Sequence, residues 1–504
     1  MPGLHTDLPS LPDLSRYNAR KSPTSIAFED ANGAITWSEF DEQSDAVARG
    51  LAELVTPGDR IAFLSEASVP QAVALMGGLK TGGITSHLHT RAPDDERRYF
   101  LDQLEPRVLI VDREHAGQVD RDITTFTLSE SGNPLPELPD PPDGELLDVS
   151  HAEDDVASIF WTSGSTGRPT GWCHSYRSLY VKAMKMAGRT GVDPGGMALT
   201  AFSPSFGAWF NVYLKALIGA ESAYFLRDWD PQRWLEAVES RGITFTGLVV
   251  TMWREVLAAE PTAYDLDSLE VVYTTGEQID PETLNRIRSE ICDCVFQTYG
   301  STEMTGTALY NHEMQGERIK SVGKPQLGSD LRIVDPGGDP DEECEPGEVG
   351  EIIIRGPDVP TRAWRDEDRT REAFRNGWWY SKDLGYRDEA GYVYLEGRAD
   401  SMIKSRGMKV IPERVESALS AHPDVDTVVV VGVDDEAYGQ RVTAIVQGDA
   451  DLTGNALETW CLDHDALGRY ERPRSYVFTD EIARTPSGKV DRRATKQAVD
   501  LDNL

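Results

Sequence analysis

Three observations predict a doubly wound α/β protein with smaller pieces appended. Strand-length apolar runs alternate with helix-like segments from Ser25 to about Ile123, and again from Ala198 to about Gln297. From Gly323 to Arg398 the pattern becomes short alternating strands between Gly/Pro turns, as in a small antiparallel barrel or sheet. After Arg398 it changes again, to a small α+β segment with its own apolar runs. A chain of 504 residues carries about three domains' worth of core.

The elements follow in order. Ser25–Phe28 and Ala34–Trp37 flank Asn32-Gly33, a turn dipeptide, and predict a hairpin. Ser38 reads as the N-cap of a helix that places Phe40, Val47, Leu51 and Leu54 on one face. Arg60–Leu64 and Val108–Val111 read as buried strands, with a helix from Val69 to Thr81 between them. Glu130–Asp148, rich in Pro, Gly and acid, reads as a connector. Val156–Trp161 reads as a strand that runs into Ser163-Gly164-Ser165-Thr166-Gly167-Arg168-Pro169-Thr170-Gly171. In the second series, Ile243–Val250 and Leu269–Tyr273 read as strands, and Trp234–Arg241 and Pro281–Ile291 as helices. Near the end, Pro412–Ala421 reads as a helix and Thr427–Val433 and Val442–Val446 as strands.

Composition excludes several classes. Asp and Glu number 85 against 50 Lys and Arg, a formal charge of −35. Such a field repels nucleic acid. The acidity is spread along the chain and lysine is scarce, which reads as adaptation to high salt, where repulsion is screened within a few Å. The five cysteines show no paired framework, as expected of a reducing compartment. Cys292-Asp293-Cys294 reads as an inert pair on a strand. The N-terminus lacks the features of a signal peptide, and no apolar run spans a bilayer. A soluble, cytoplasmic protein without a transmembrane segment is expected; homo-oligomerisation is left open.

The Gly/Ser/Thr loop after the strand is suited to an oxyanion. Glycines allow close backbone approach, successive N–H groups form an anion nest, and hydroxyls add donors. It is not a Walker A loop, because Gly167 is followed by Arg168 rather than Lys-Ser/Thr. Three further segments join it: Gln297-Thr298-Tyr299-Gly300-Ser301-Thr302-Glu303; Tyr380–Gly385 with Gly397–Lys409; and Arg484-Thr485-Pro486-Ser487-Gly488-Lys489.

In this order and at these separations the motifs closely resemble the AMP-forming acyl-adenylate superfamily of acyl-CoA synthetases, luciferases and adenylation domains. The resemblance runs from about Ser25 to Arg493. It implies a large N-terminal domain, 1–398, with α/β subdomains over about 1–322 and a β-barrel part over about 323–398. A mobile C-terminal lid, 399–504, would hinge at Asp400. It also implies ATP, Mg²⁺ and CoA. Thr162, Ser163, Gly164, Ser165, Thr166 and Gly167 would hold the β- and γ-phosphates. Gly276 and Glu277 would flank adenine, Tyr299 and Gly300 would lie against the nucleotide, and Thr302 would contact the α-phosphate. Glu303 would ligate the metal, Asp383 the ribose hydroxyls and Arg398 the ribose or phosphate. Lys489 would bridge the carboxylate and the α-phosphate during adenylation. Lys404, Gly407 and Lys409 would face AMP and the thiol after rotation.

The chain departs from the family in having Thr170 where a lysine is usual. Gly300 stands where acetate-specific relatives carry tryptophan, which implies an acid longer than acetate, medium-chain fatty or aryl. Phe206, Trp209 and Trp253 fit either an acyl wall or core packing. The expected activity is that of a free-standing AMP-forming acyl-CoA synthetase. Loading of a separate carrier protein and non-catalytic nucleotide binding are the other readings.

Overall fold

The computed structural model describes residues 8–119, 121–130, 132–138, 149, 151–162, 169–304, 306–463, 467–484 and 490–499. The loop residues Ser163, Gly164, Ser165, Thr166 and Gly167, the tail lysine Lys489 and much of the Glu130–Asp148 connector lie outside them. The chain divides into two compact units, one of residues 1–331 and 354–379, the other of residues 332–353 and 380–504.

The first unit is mixed α/β and holds two sheets. In the first sheet the strands at 321–325, 306–311, 295–301, 271–275, 245–249, 197–200, 222–225, 26–30 and 33–36 neighbour one another in that order. From 295–301 to 26–30 every pairing is parallel. In the second sheet the order is 362–363, 170–175, 156–162, 84–87, 60–64, 108–111 and 124–127. The predicted N-terminal hairpin forms, with Asp30 opposite Gly33. It does not join the neighbouring strands at 60–64 and 108–111. Instead Phe28 pairs with Ala223 at the edge of the other sheet. There Phe28 stacks on Tyr213 and Phe225 at 5.2 and 5.3 Å.

Local signals set the helix boundaries. Thr36, not Ser38, caps Trp37–Ala52: its hydroxyl accepts from Glu39 N while Glu39 returns a bond to the Thr36 N–H. Helix Val69–Lys80 is buried nearly all round, so its sequence lacks a polar face. Two of the candidate acyl-wall residues are core. Trp209 and Trp253 are fully buried, the former stacked on Tyr213 at 5.2 Å and the latter edge-on to Trp234 at 5.6 Å. Cys292 and Cys294 precede the strand Val295–Ser301 rather than lie on it, and both are free thiols.

In the second unit, strands 403–405, 408–410, 425–435, 439–448 and 475–478 form one sheet. Val428, Val430, Val442, Ala444 and Val446 pack on one face with Val415 and Leu419 of helix Pro412–Ser420. Val429, Val431 and Ile445 fill the other face with Ile482. Burial on both faces explains the unbroken valine run. Strands 378–387 and 393–398 form an antiparallel ribbon that places Asp383 opposite Arg398. Among the described residues no helix is long and apolar enough to cross a membrane.

Candidate active site

In the first unit the site is built on one hairpin and one strand end. Strands Val156–Thr162 and Thr170–Ser175 pair antiparallel, with Thr162 opposite Thr170 where the loop begins and ends. The Thr162 hydroxyl accepts from Trp172 Nε1 at 3.3 Å, and Tyr99 donates to the Pro169 carbonyl at 3.2 Å. Both bonds fix the base from which the loop springs. Thr170 puts a hydroxyl, not an ammonium, at that base.

The strand Val295–Ser301 ends in a short 3₁₀ turn, Thr302–Met304. Its pairing with the strand Gly306–Asn311 is irregular between Tyr299 and Gly300, as a bulge that re-aims the chain would be. Tyr299, Gly300 and Glu303 are half-buried. The Glu303 carbonyl lies 2.7 Å from Nε2 of the fully buried His174. Burial drives the His174 pKa down to about 3, so the ring is neutral. Gly276 and Glu277 lie exposed after the strand Val271–Thr275, and Gly276 adopts φ +87°, a conformation that glycine accepts freely.

The second unit holds the other candidates. Arg398 sits between two carboxylates: Nη1 is 2.8 Å from Asp383 Oδ1, and Nε is 3.2 Å from Asp400 Oδ1. Ser381 Oγ accepts from the Asp383 N–H at 3.0 Å. The strands Ile403–Ser405 and Met408–Val410 are joined by the two-residue turn Arg406-Gly407, both residues at positive φ, as hairpin turns of this length require. Lys404 and Lys409 stand opposite each other on this hairpin, and both are exposed. Lys409 Nζ is 3.6 Å from Asp335 Oδ1. Arg484 and Val490 form an antiparallel bridge, and Arg492 Nη2 donates to Glu416 at 2.8 Å.

Sequence reasoning missed His174, to which it assigned no role. Its partner is a backbone carbonyl 129 residues away, which no local pattern in the sequence marks.

Two mainly parallel sheets, one carrying the hairpin 156–175 and the other the strand-end turn Thr302–Met304, define an α/β fold. The model of the AMP-binding enzyme family matches residues 15–361, and that of its C-terminal domain matches residues 414–489. The chain belongs to this family and is an AMP-forming acid–CoA ligase. It is 30% identical to a 2-succinylbenzoate–CoA ligase of Geobacillus sp. over 97% of this chain and 98% of that protein. It is 32% identical to a feruloyl-CoA synthase of Amycolatopsis sp. over 94% of this chain and 95% of that protein. In fold it is similar to o-succinylbenzoate CoA synthetase from Bacillus subtilis in complex with its acyl-adenylate. That likeness has a TM-score of 0.85 at 24% identity and covers 98% of this chain and 99% of the other.

Proposed function

We propose that the protein joins an aryl carboxylic acid to CoA through an acyl-adenylate, using ATP and Mg²⁺. The observation that carries the reading is the fixed pairing of the phosphate-loop hairpin with the Glu303 turn in the first unit. The relatives named above and an indoleacetate–CoA ligase of Aromatoleum aromaticum at 30% identity all bear ring-containing acids in their names. A medium-chain fatty acid is the alternative. Loading of a carrier protein is a further one, supported by the 28% identity to a fatty acid–[acyl-carrier-protein] ligase of Streptomyces coeruleorubidus.

In the first half-reaction the acid's carboxylate attacks the α-phosphorus of ATP and pyrophosphate leaves. Two anions meet, so local positive groups and oriented donors must offset the charge. Residues 162–167 hold the β- and γ-phosphates, Thr302 contacts the α-phosphate, and Lys489 bridges it to the carboxylate. Glu303 holds Mg²⁺, which when bound neutralises phosphate charge. Gly276, Glu277, Tyr299 and Gly300 border the adenosine. Asp383, steadied by Arg398, takes the ribose hydroxyls. In the second half-reaction a thiol displaces AMP, with Lys404, Gly407 and Lys409 turned toward it. We place the boundary between a 1–398 body and a 399–504 lid at Asp400. The acidic surface points to a salt-adapted, cytoplasmic enzyme.

The test is a panel of aryl and aliphatic acids with ATP, Mg²⁺ and CoA in high KCl, reading AMP release. Release that depends on both an aryl acid and CoA is expected. ATP binding without AMP release for any acid contradicts the proposal.

A further inference from the structure

We infer that His174 is a positioning residue for the adenylation step: it locks the main chain of Glu303 onto the hairpin that carries the phosphate loop. The inference rests on the reading of Glu303 as the Mg²⁺ ligand.

His174 lies on Thr170–Ser175, the strand that returns from the loop, and pairs with Ser158 on the strand that enters it. The 3₁₀ turn Thr302–Met304 belongs to the other sheet and packs against that entering strand. His174 is therefore a bond between the two sheets of the first unit. A carbonyl oxygen only accepts, so Nε2 carries the proton and donates to Glu303. The other ring nitrogen lies at a long 3.4 Å from Ser178 Oγ, whose hydroxyl donates to the Ser175 carbonyl at 2.9 Å. Phe160 meets the ring edge-on at 5.5 Å. Packing fixes the ring plane and one short hydrogen bond fixes what it holds. The held atom belongs to the residue whose carboxylate would meet the metal, so a shift there moves the carboxylate relative to the loop. Groups that orient a metal ligand commonly change metal affinity by roughly 10–100-fold when lost.

The experiment compares His174→Gln and His174→Asn in the full-length protein. A Gln amide nitrogen reaches about where Nε2 stands; an Asn amide stops short of it. Both are neutral, polar and smaller than His, so packing loss is similar. Three readouts are taken: the Mg²⁺ concentration for half-maximal ATP–pyrophosphate exchange, Mn²⁺ binding to the protein–ATP complex by electron paramagnetic resonance, and melting temperature. His174→Asn is expected to weaken both metal readouts by roughly tenfold or more. His174→Gln is expected to stay within about threefold of the native chain, and the KM for the acid should hold in both. Equal metal readouts for Gln, Asn and the native chain, with only the melting temperature lowered, overturn the inference. Glu303→Gln separates the two readings. If it leaves metal dependence unchanged, Glu303 is not the ligand and both fall. If it weakens metal binding while His174→Asn does not, only the His174 inference falls.

Discussion

Asp383 and Arg398 face each other across an antiparallel ribbon, carboxylate oxygen to guanidinium nitrogen at 2.8 Å. The same guanidinium reaches Asp400, the proposed hinge residue. One arginine thus ties Asp383, the proposed ribose ligand, to Asp400, the proposed hinge.

Asp383→Ala should therefore act on nucleotide binding and little on stability. Arg398 is well exposed, and ion pairs in that setting contribute about 0–1 kcal/mol. Two lost hydrogen bonds from ribose to an ionised carboxylate are worth roughly 1.5–3 kcal/mol each. The KM for ATP should rise by roughly tenfold or more while the melting temperature changes little. Initial rates at varied ATP and a thermal melt check both halves.

Gly247 and Tyr273 are register partners on neighbouring parallel strands, and the tyrosine ring lies over the glycine. A Cβ on Gly247 would come within 2.0 Å of that ring. Tyr273 cannot yield easily, since Phe245 and Phe296 stack on it at 5.6 and 5.8 Å. Gly247→Ala should destabilise the protein by about 1–3 kcal/mol or more, seen as a lower urea midpoint. Tyr273→Phe should be neutral or stabilising, because the buried hydroxyl has no hydrogen-bond partner among the described residues.

Acid should weaken the fold through His87. The ring is buried, stacked on Phe63 at 4.7 Å, and desolvation pushes its pKa from 6.5 down to about 3. Unfolding frees it to bind a proton below pH 6.5. Its contribution is therefore complete above about pH 6.5 and is lost as pH falls toward 3. His87→Gln should flatten that part of the stability–pH curve in urea titrations. An unchanged slope would place the acid sensitivity elsewhere.

Lys404 and Lys409 oppose each other on an exposed hairpin of a strongly acidic chain. Like charges directly opposite cost about 0.2–1 kcal/mol. Replacing both with Gln should change stability little, because relief of the Lys–Lys repulsion is offset by loss of the exposed Lys409–Asp335 pair. It should also raise the KM for CoA several-fold, while ATP–pyrophosphate exchange stays within about twofold. Exchange and thioester assays on the double variant separate these effects.

Local order was legible where one segment decides its own structure. The Asn32-Gly33 hairpin, the Val69 helix and the valine strands of the second unit follow from turn residues and periodicity. The Ser38 cap was misplaced by two residues because Thr36 and Glu39 satisfy each other's backbone groups, a reciprocal bond that outweighs a lone serine. Which sheet the hairpin joins was not legible, since pairing Phe28 with Ala223 depends on strands nearly 200 residues apart. The roles of Trp209 and Trp253 were open because an apolar ring suits a pocket and a core equally; their complete burial settles them as core. The motif residues of the candidate site were readable as residue types at fixed separations. His174 was not, because its partner atom is a main-chain oxygen that any residue possesses.

The most direct measurement follows oxygen from the acid. An aryl acid labelled with ¹⁸O in its carboxylate is turned over with ATP, Mg²⁺ and CoA, and the products are read by mass spectrometry. Attack on the α-phosphorus followed by thiol displacement leaves one carboxylate oxygen on phosphorus, so AMP should carry a single ¹⁸O and pyrophosphate none. Label in inorganic phosphate with ADP as the nucleotide product, or unlabelled AMP alongside acyl-CoA, would contradict an acyl-adenylate route.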